Sequence, residues 1–274
     1  MFEQIITNVK NKTPLVHAIT NYVTVNDCAN AILACGGSPI MADDANEVED
    51  ITSICNSLVI NIGTLNKNTI EAMELAGKKA NEIGHPVILD PVGVGASALR
   101  NQCVSRLLKS VKFSVIRGNI SEIKSVYKGS GSTSGVDANQ ADIVTKDNID
   151  TTIEIAKELS KTTGAVIAIS GEYDIITDGK KAYIIKNGHP VMTKITGSGC
   201  MSTSVIGAFV GANYEAILDS TAAAVACMGL SGELACEKIV KKDEGLSSLR
   251  TYMIDYIGKM DEKMLNRGIK IEIK

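Results

Sequence analysis

Short apolar runs alternate with longer segments of helical period along most of the chain, and this alternation narrows the fold more than any other feature. Residues 57–62 (Ser-Leu-Val-Ile-Asn-Ile) read as a strand. The next segment carries Ile70, Met73, Gly77, Ala80 and Ile83 at spacings of three and four, one stripe of a helix. Residues 85–90, ending in Leu89-Asp90, read as a buried strand stopped by Pro91. A helix is expected from about Ala98 to Ser110, then a strand over 113–116. Strand–helix–strand repetition of this kind implies an α/β fold, a mainly parallel sheet with crossover helices on both faces. Ligands of such sheets bind beyond the carboxyl ends of the strands. Asp90 and Arg117 are both expected at such ends.

The rhythm pauses at 128–137, a glycine- and serine-rich stretch expected to be a loop. It resumes with a helix through Ile149, Ile153, Ala156 and Leu159, a strand at 165–169, and β segments near 174–177 and 181–186 joined by an Asp178-Gly179 turn. The last third reads as helical, with segments starting at Gly197, near Glu215 and near Ser247. The length of 274 residues suits one large domain or two small ones. With neither an internal repeat nor a clean linker, residues 1–274 are read as a single domain.

The net charge of −3, with both signs scattered, argues against nucleic acid or an anionic membrane as a partner. The most apolar stretch, Thr221 to Leu230, falls short of the roughly 20 residues a membrane span needs. The first residues, Met1 to Thr7, lack the features of a signal peptide. Seven cysteines, with no Cys-x-x-Cys pair, give no support to zinc or dithiol chemistry. A reduced, cytoplasmic setting is the expectation.

Four segments can carry chemistry. In Thr196-Gly197-Ser198-Gly199-Cys200, two glycines lead directly into a small-residue helix. Glycines admit a close ligand, and free N–H groups at a helix start attract an anion. The same residues also suit a plain turn. Asp90-Pro91-Val92-Gly93-Val94-Gly95 places a carboxylate where it can hold Mg²⁺, or merely open a turn. Its Gly93-x-Gly95-x-x-Ala98 spacing also fits the dinucleotide fingerprint, but no acidic residue is well placed at the next strand end. In Arg117-Gly118-Asn119-Ile120-Ser121-Glu122, Arg117 offers a fork of donors for phosphate, while Asn119 and Glu122 fit a reciprocal helix cap. Finally, Thr20-Asn21-Tyr22-Val23 and Gly36-Gly37-Ser38-Pro39-Ile40-Met41 border apolar residues with polar and small ones. That lining suits a small ligand, or a core helix and an ordinary loop. The histidines His17, His85 and His189 form no cluster and are read as structural.

No Gly-x-x-x-x-Gly-Lys-Ser/Thr occurs, which excludes a P-loop enzyme. The glycine-rich loop opening a late helix resembles the anion hole of the ribokinase-like superfamily, in which most members end it with a catalytic Asp. Here Cys200 stands in that place, as in hydroxyethylthiazole kinases. Ile19-Thr20-Asn21-Tyr22-Val23, Gly36 to Met41, Leu89 to Ala96 and Arg117-Gly118-Asn119-x-x-Glu122 are similar to that family's motifs and follow in order.

The resemblance implies a ribokinase-like fold and ATP-dependent phosphorylation of a thiazole alcohol in thiamin salvage, with Mg²⁺ as cofactor and ATP as co-substrate. It assigns the metal to Asp90 and Glu122, ATP to Arg117 and Ser170, and the alcohol to Met41 and Gly197. Asn21 and Val23 would line the thiazole pocket, and Gly197, Ser198, Gly199 and Cys200 would form the catalytic loop. It also implies a homotrimer with sites between subunits. Other readings are a hydroxymethylpyrimidine or pyridoxal kinase of the same superfamily, and a cysteine-nucleophile hydrolase. The hydrolase needs a histidine beside Cys200.

Overall fold

A computed structural model describes residues 2–129 and 144–274. The chain runs α1 (Glu3–Lys12), β1 (Leu15–Ile19), α2 (Val25–Cys35), β2 (Ser38–Ile40), α3 (Val48–Ile54), β3 (Ser57–Asn61), α4 (Lys67–Glu82), β4 (Val87–Asp90), α5 (Ala98–Ser110), β5 (Val115–Asn119) and α6 (Ile120–Gly129). After the undescribed stretch come α7 (Ile149–Thr163), β6 (Val166–Ser170), β7 (Asp174–Thr177), β8 (Ala182–Ile185), α8 (Ser198–Ala212), α9 (Ile217–Lys242), α10 (Leu246–Lys259), α11 (Glu262–Gly268) and β9 (Ile271–Ile273). The loop expected at 128–137 lies outside the described residues from position 130 onward.

Among the described residues the strands form one nine-stranded sheet in the order β2-β1-β3-β4-β5-β6-β7-β8-β9. Every neighbouring pair from β2 to β6 is parallel, and the last three pairs are antiparallel. The parallel strands are apolar on both faces, because helices cover both. Val59, Ile88, Val115 and Val166 face one core with α1, α2 and α8 to α11. Leu58, Leu89, Ile116 and Ile167 face the other, with α3 to α7. The alternation along each strand follows from its period of two.

The predicted stripe on α4 is the buried one: Met73 and Ala80 are buried, and a methyl group at Gly77 would meet Val111 Cγ2 at 2.6 Å. The expected strand at 113–116 is displaced, since β5 runs from Val115 through Asn119. Arg117 therefore lies inside a strand, paired across the ladder with Ala168. The helical reading of the last third omits β9, three residues that pair antiparallel with β8 at the sheet edge.

One helix decides where the chemistry sits. α8 is buried around almost its whole circumference, wedged between the sheet, α2 and α9. Its approach to the sheet is close enough that a Cβ at Gly207 would stand 2.5 Å from Val59 Cγ2. Ser57 Oγ donates to Gly207 O at 2.8 Å, tying β3 to the middle of the helix. Fixed in this way, α8 brings its N-terminus to the carboxyl ends of β1, β3, β4 and β5.

Candidate active site

Because β1 to β6 are parallel, their last residues and the loops that follow share one edge: Asn21 after β1, Met41 after β2, Asn61, Asp90, Asn119 and Ser170. Asp90 ends β4 and is completely buried. Its Oδ2 accepts hydrogen bonds from Asn61 Nδ2 and Thr203 Oγ1, both at 2.8 Å. Its Oδ1 has no hydrogen-bond partner, and Arg117 Nη1 stands 4.0 Å away. Burial raises the carboxyl to about 6, against the pull of the Arg117 guanidinium. A buried carboxylate oxygen with a free lone pair is a natural ligand for a hard cation or one of its waters.

Glu122 is committed differently. Its Oε1 accepts from Gly93 N at 2.9 Å and its Oε2 from Asn119 N at 2.8 Å, while Asn119 Oδ1 accepts from Glu122 N at 2.9 Å. The reciprocal cap anticipated as one reading of this segment is therefore present, and Glu122 also fastens the loop after β4 to the start of α6. A carboxylate oxygen has two lone pairs, so these bonds leave room for a water of a bound cation. Magnesium usually retains several waters and takes one or two protein carboxylates together with substrate phosphates. The donor set fits that mode and not a closed protein cage: among the described residues no cluster of three or more His, Cys, Asp or Glu is placed to hold a metal.

Arg117 reaches diagonally over the ladder, and its Nη2 donates to Ser170 Oγ at 2.9 Å. The guanidinium lies over the start of α8, where a Cβ at Gly199 would fall 2.7 Å from Arg117 Nη1. Gly197, just before the helix, has φ 87° and sits against the Thr24 methyl group, 2.6 Å from any Cβ placed there. Both demands select glycine. The first turn of α8 has N–H groups without helical acceptors, beside the Arg117 guanidinium, a pairing of donors whose chemistry suits an anion.

Cys200, in that first turn, is partly exposed, whereas the other six cysteines are buried. Its Sγ is approached by Asn21 Nδ2 at 3.2 Å and Asn61 Nδ2 at 3.3 Å. A helix N-terminus ordinarily lowers a thiol. Here burial and the nearby Asp90 carboxylate push it up instead, only partly offset by Thr24, Asn21 and Asn61. No histidine accompanies it: His17 bonds Thr52 Oγ1 and Ala42 O, each at 2.8 Å, and His189 Nδ1 accepts from Val191 N at 3.2 Å. The histidines form no cluster, His189 lines the cavity beside Arg117, and the hydrolase reading lacks a histidine base hydrogen-bonded to Cys200.

Asn21 is buried, its carboxamide turned inward onto Asn61 and Cys200, whereas Val23 is 59% exposed. Met41 is partly buried on the α8 side of the sheet. A cavity of about 770 Å³ opens beside Arg117, lined by Ser170, Asp174, Ser198, Gly199 and Met228 among others. Asp174 was not anticipated from the sequence. Its Oδ1 accepts from Gly171 N at 3.0 Å, and burial pushes its carboxyl up to about 7 despite that bond and Arg117. Asn61 and Thr203 were missed as well. Their signals were faint: a polar residue closing an apolar strand, and a hydroxyl one helical turn beyond Gly199.

Comparison with known proteins places this geometry. The profile of the hydroxyethylthiazole kinase family matches residues 6–263. The hydroxyethylthiazole kinase of Clostridium acetobutylicum is 56% identical over 272 residues, covering 99% of each chain. The solved structure of a hydroxyethylthiazole kinase protein from Pyrococcus horikoshii superposes with a TM-score of 0.88 at 30% identity, covering 99% of this chain and 98% of the other. A pyridoxal kinase from Staphylococcus aureus, solved with ADP, shares the fold at a TM-score of 0.61 and 16% identity, over 95% and 97% of the two chains. With a family profile that spans nearly its whole length and relatives of this identity, the chain belongs to the hydroxyethylthiazole kinase family.

Proposed function

We propose that this protein transfers the γ-phosphoryl group of ATP to the hydroxyl of 4-methyl-5-(2-hydroxyethyl)thiazole in thiamin salvage, with Mg²⁺ as cofactor. The observation that carries the reading is the convergence of the buried Asp90, the Arg117 guanidinium and the glycine-rich start of α8 at one edge of the sheet, with Cys200 joined to Asp90 through Asn61. Phosphoryl transfer proceeds through a loose transition state, so positioning and charge stabilisation dominate. Arg117 and the first-turn amides of Gly197 to Cys200 would hold the migrating group, and Ser170 would keep Arg117 aimed. Asp90, with Glu122 through water, would hold Mg²⁺, which supplies charge neutralisation between the phosphates.

Met41, Asn21 and Gly197 stand at the acceptor side of this edge. Cys200 would orient the alcohol oxygen. Its raised thiol suits hydrogen bonding at neutral pH better than full proton abstraction. Tyr22, 77% exposed, and Val23 project from the segment after β1 and favour a homotrimer in which a neighbour covers them. Unpaired cysteines and the lack, among the described residues, of any helix long and apolar enough to cross a membrane favour a cytoplasmic enzyme.

The direct test incubates the protein with ATP and the thiazole alcohol and weighs the product. The reading expects the alcohol monophosphate and ADP with Mg²⁺, and neither after chelation. Turnover undiminished by chelation would remove Asp90 and Glu122 from the metal role.

A further inference from the structure

Asn61 closes β3 and is 1% exposed, directly opposite Asp90 in the parallel ladder. A carboxamide has two N–H donors and two acceptor lone pairs, and here all four are engaged. Oδ1 accepts from Gly63 N at 2.8 Å and from Asn21 Nδ2 at 3.1 Å. Nδ2 donates to Asp90 Oδ2 at 2.8 Å and to Cys200 Sγ at 3.3 Å. These partners fix which way the amide points. Flipping it would set NH₂ against a backbone N–H and a carbonyl against a buried carboxylate. Asn21 is fixed in the same way, because its Oδ1 accepts from Thr24 N at 3.1 Å and Thr24 Oγ1 at 3.0 Å. Its N–H groups are thereby aimed at Asn61 Oδ1 and the Cys200 sulfur.

Two consequences follow. The Cys200 sulfur receives two carboxamide N–H bonds from inside the protein, with the Thr24 hydroxyl nearby, and these inner groups set how the thiol presents itself to its partly exposed side. The group that sets one of those bonds is also the group that holds the inner oxygen of Asp90, leaving Oδ1 as the free one.

We propose that Asn61 is a positioning residue for phosphoryl transfer, which locks the Asp90 carboxylate and the Cys200 sulfur into one arrangement through the two N–H bonds of a single carboxamide. The proposal rests on the reading of this site as a kinase centre in which Asp90 and Cys200 serve opposite reactants. Asn61 touches neither substrate. Its role is to keep the metal-side carboxylate and the acceptor-side sulfur in register.

The variant Asn61→Leu removes both N–H donors at nearly constant volume and adds no charge, at the cost of the acceptor for Gly63 and Asn21. Expected are a loss in kcat of about 10²-fold or more, on the scale of a misplaced catalytic group, and a KM for the thiazole alcohol within about threefold of wild type. A second readout uses no substrate or metal. Cys200 is partly exposed while the other six cysteines are buried, so iodoacetamide on the folded protein at pH 8.5, with the site of modification checked by peptide mass, reads its thiolate. Withdrawing a donor from the sulfur should slow that reaction about tenfold, the effect of roughly one pKa unit on the thiolate fraction.

Asn61→Ala removes the same donors with a smaller side chain and should show both effects, with folding of each variant checked by melting temperature. Alkylation as fast as wild type or faster, together with unchanged kcat, would overturn the proposal. A lowered melting temperature with both rates intact would do the same and leave Asn61 as a strand-end filler. If the wild type fails to phosphorylate the thiazole alcohol, the kinase reading falls, while the substrate-free alkylation rates still decide whether Asn61 sets the state of Cys200.

Discussion

The resemblance to the ribokinase-like superfamily implies a carboxylate at the position of Cys200, and the surroundings of the sulfur would suit either group. Two carboxamide N–H groups already point at its sulfur, and the same donors would serve a carboxylate oxygen. Cys200→Asp should therefore retain substantial turnover. Cys200→Ala should lose about 10²-fold in kcat, the low end for removal of a general base or orienting group, with ATP binding preserved. Steady-state phosphorylation, with ATP affinity measured separately, checks both. An inert Cys200→Asp that still binds ATP would show that the thiol itself is required. Asp90 and Cys200 were legible in the sequence because one ends a strand and the other opens a helix in a recognisable context, and Arg117 because it directly follows an apolar run, although the strand continues through it. Asn61 and Thr203 were not, since their importance arises from contacts 29 and 113 residues distant along the chain.

At the scale of elements, the site depends on how α8 meets the sheet edge. Gly199→Ala would place a methyl group 2.7 Å from Arg117 Nη1. The flexible guanidinium can yield, so the fold should survive with its melting temperature nearly unchanged. The displaced charge should raise the KM for ATP by about tenfold, the worth of a charge-assisted hydrogen bond. An unaltered KM would separate Arg117 from the nucleotide.

His17, in the middle of β1, offers a test of the packing behind that edge, where it joins β1 to Thr52 of α3 and to Ala42 after β2. Burial holds its imidazole below the ordinary histidine range. A group depressed on folding contributes stability that is present above its unfolded value and fades as pH falls. The melting-temperature advantage of wild type over His17→Gln should accordingly shrink between pH 7.5 and 5.5, and a constant difference would contradict the buried, neutral imidazole. Among the elements themselves, the strands flanked by helical stripes, such as β3 and β4, were legible because burial on both faces makes them apolar runs. β9 was not, because Ile271-Glu272-Ile273 is a short edge strand with its middle residue charged. The end of β5 was misjudged because Arg117 and Asn119 are polar residues that a ladder with β6 nevertheless carries.

For the whole molecule, parallel strands gather the working residues at one edge, and this arrangement was implied by the alternating sequence pattern alone. The assembly was not, because one chain's periodicity carries no record of a second. Tyr22 and Val23 are exposed apolar side chains on the segment whose Asn21 touches Cys200. Sedimentation should show a homotrimer, and Val23→Asp should weaken both assembly and turnover. A fully active monomer would refute that arrangement. The central claim is narrower: this edge of the sheet phosphorylates a thiazole alcohol. Its most direct test is kcat/KM with Mg·ATP for 4-methyl-5-(2-hydroxyethyl)thiazole, hydroxymethylpyrimidine and pyridoxal side by side. The thiazole alcohol should be preferred by at least about 10²-fold, the upper range of what one methylene of fit can give. Efficient phosphorylation of hydroxymethylpyrimidine or pyridoxal with none of the thiazole would contradict it.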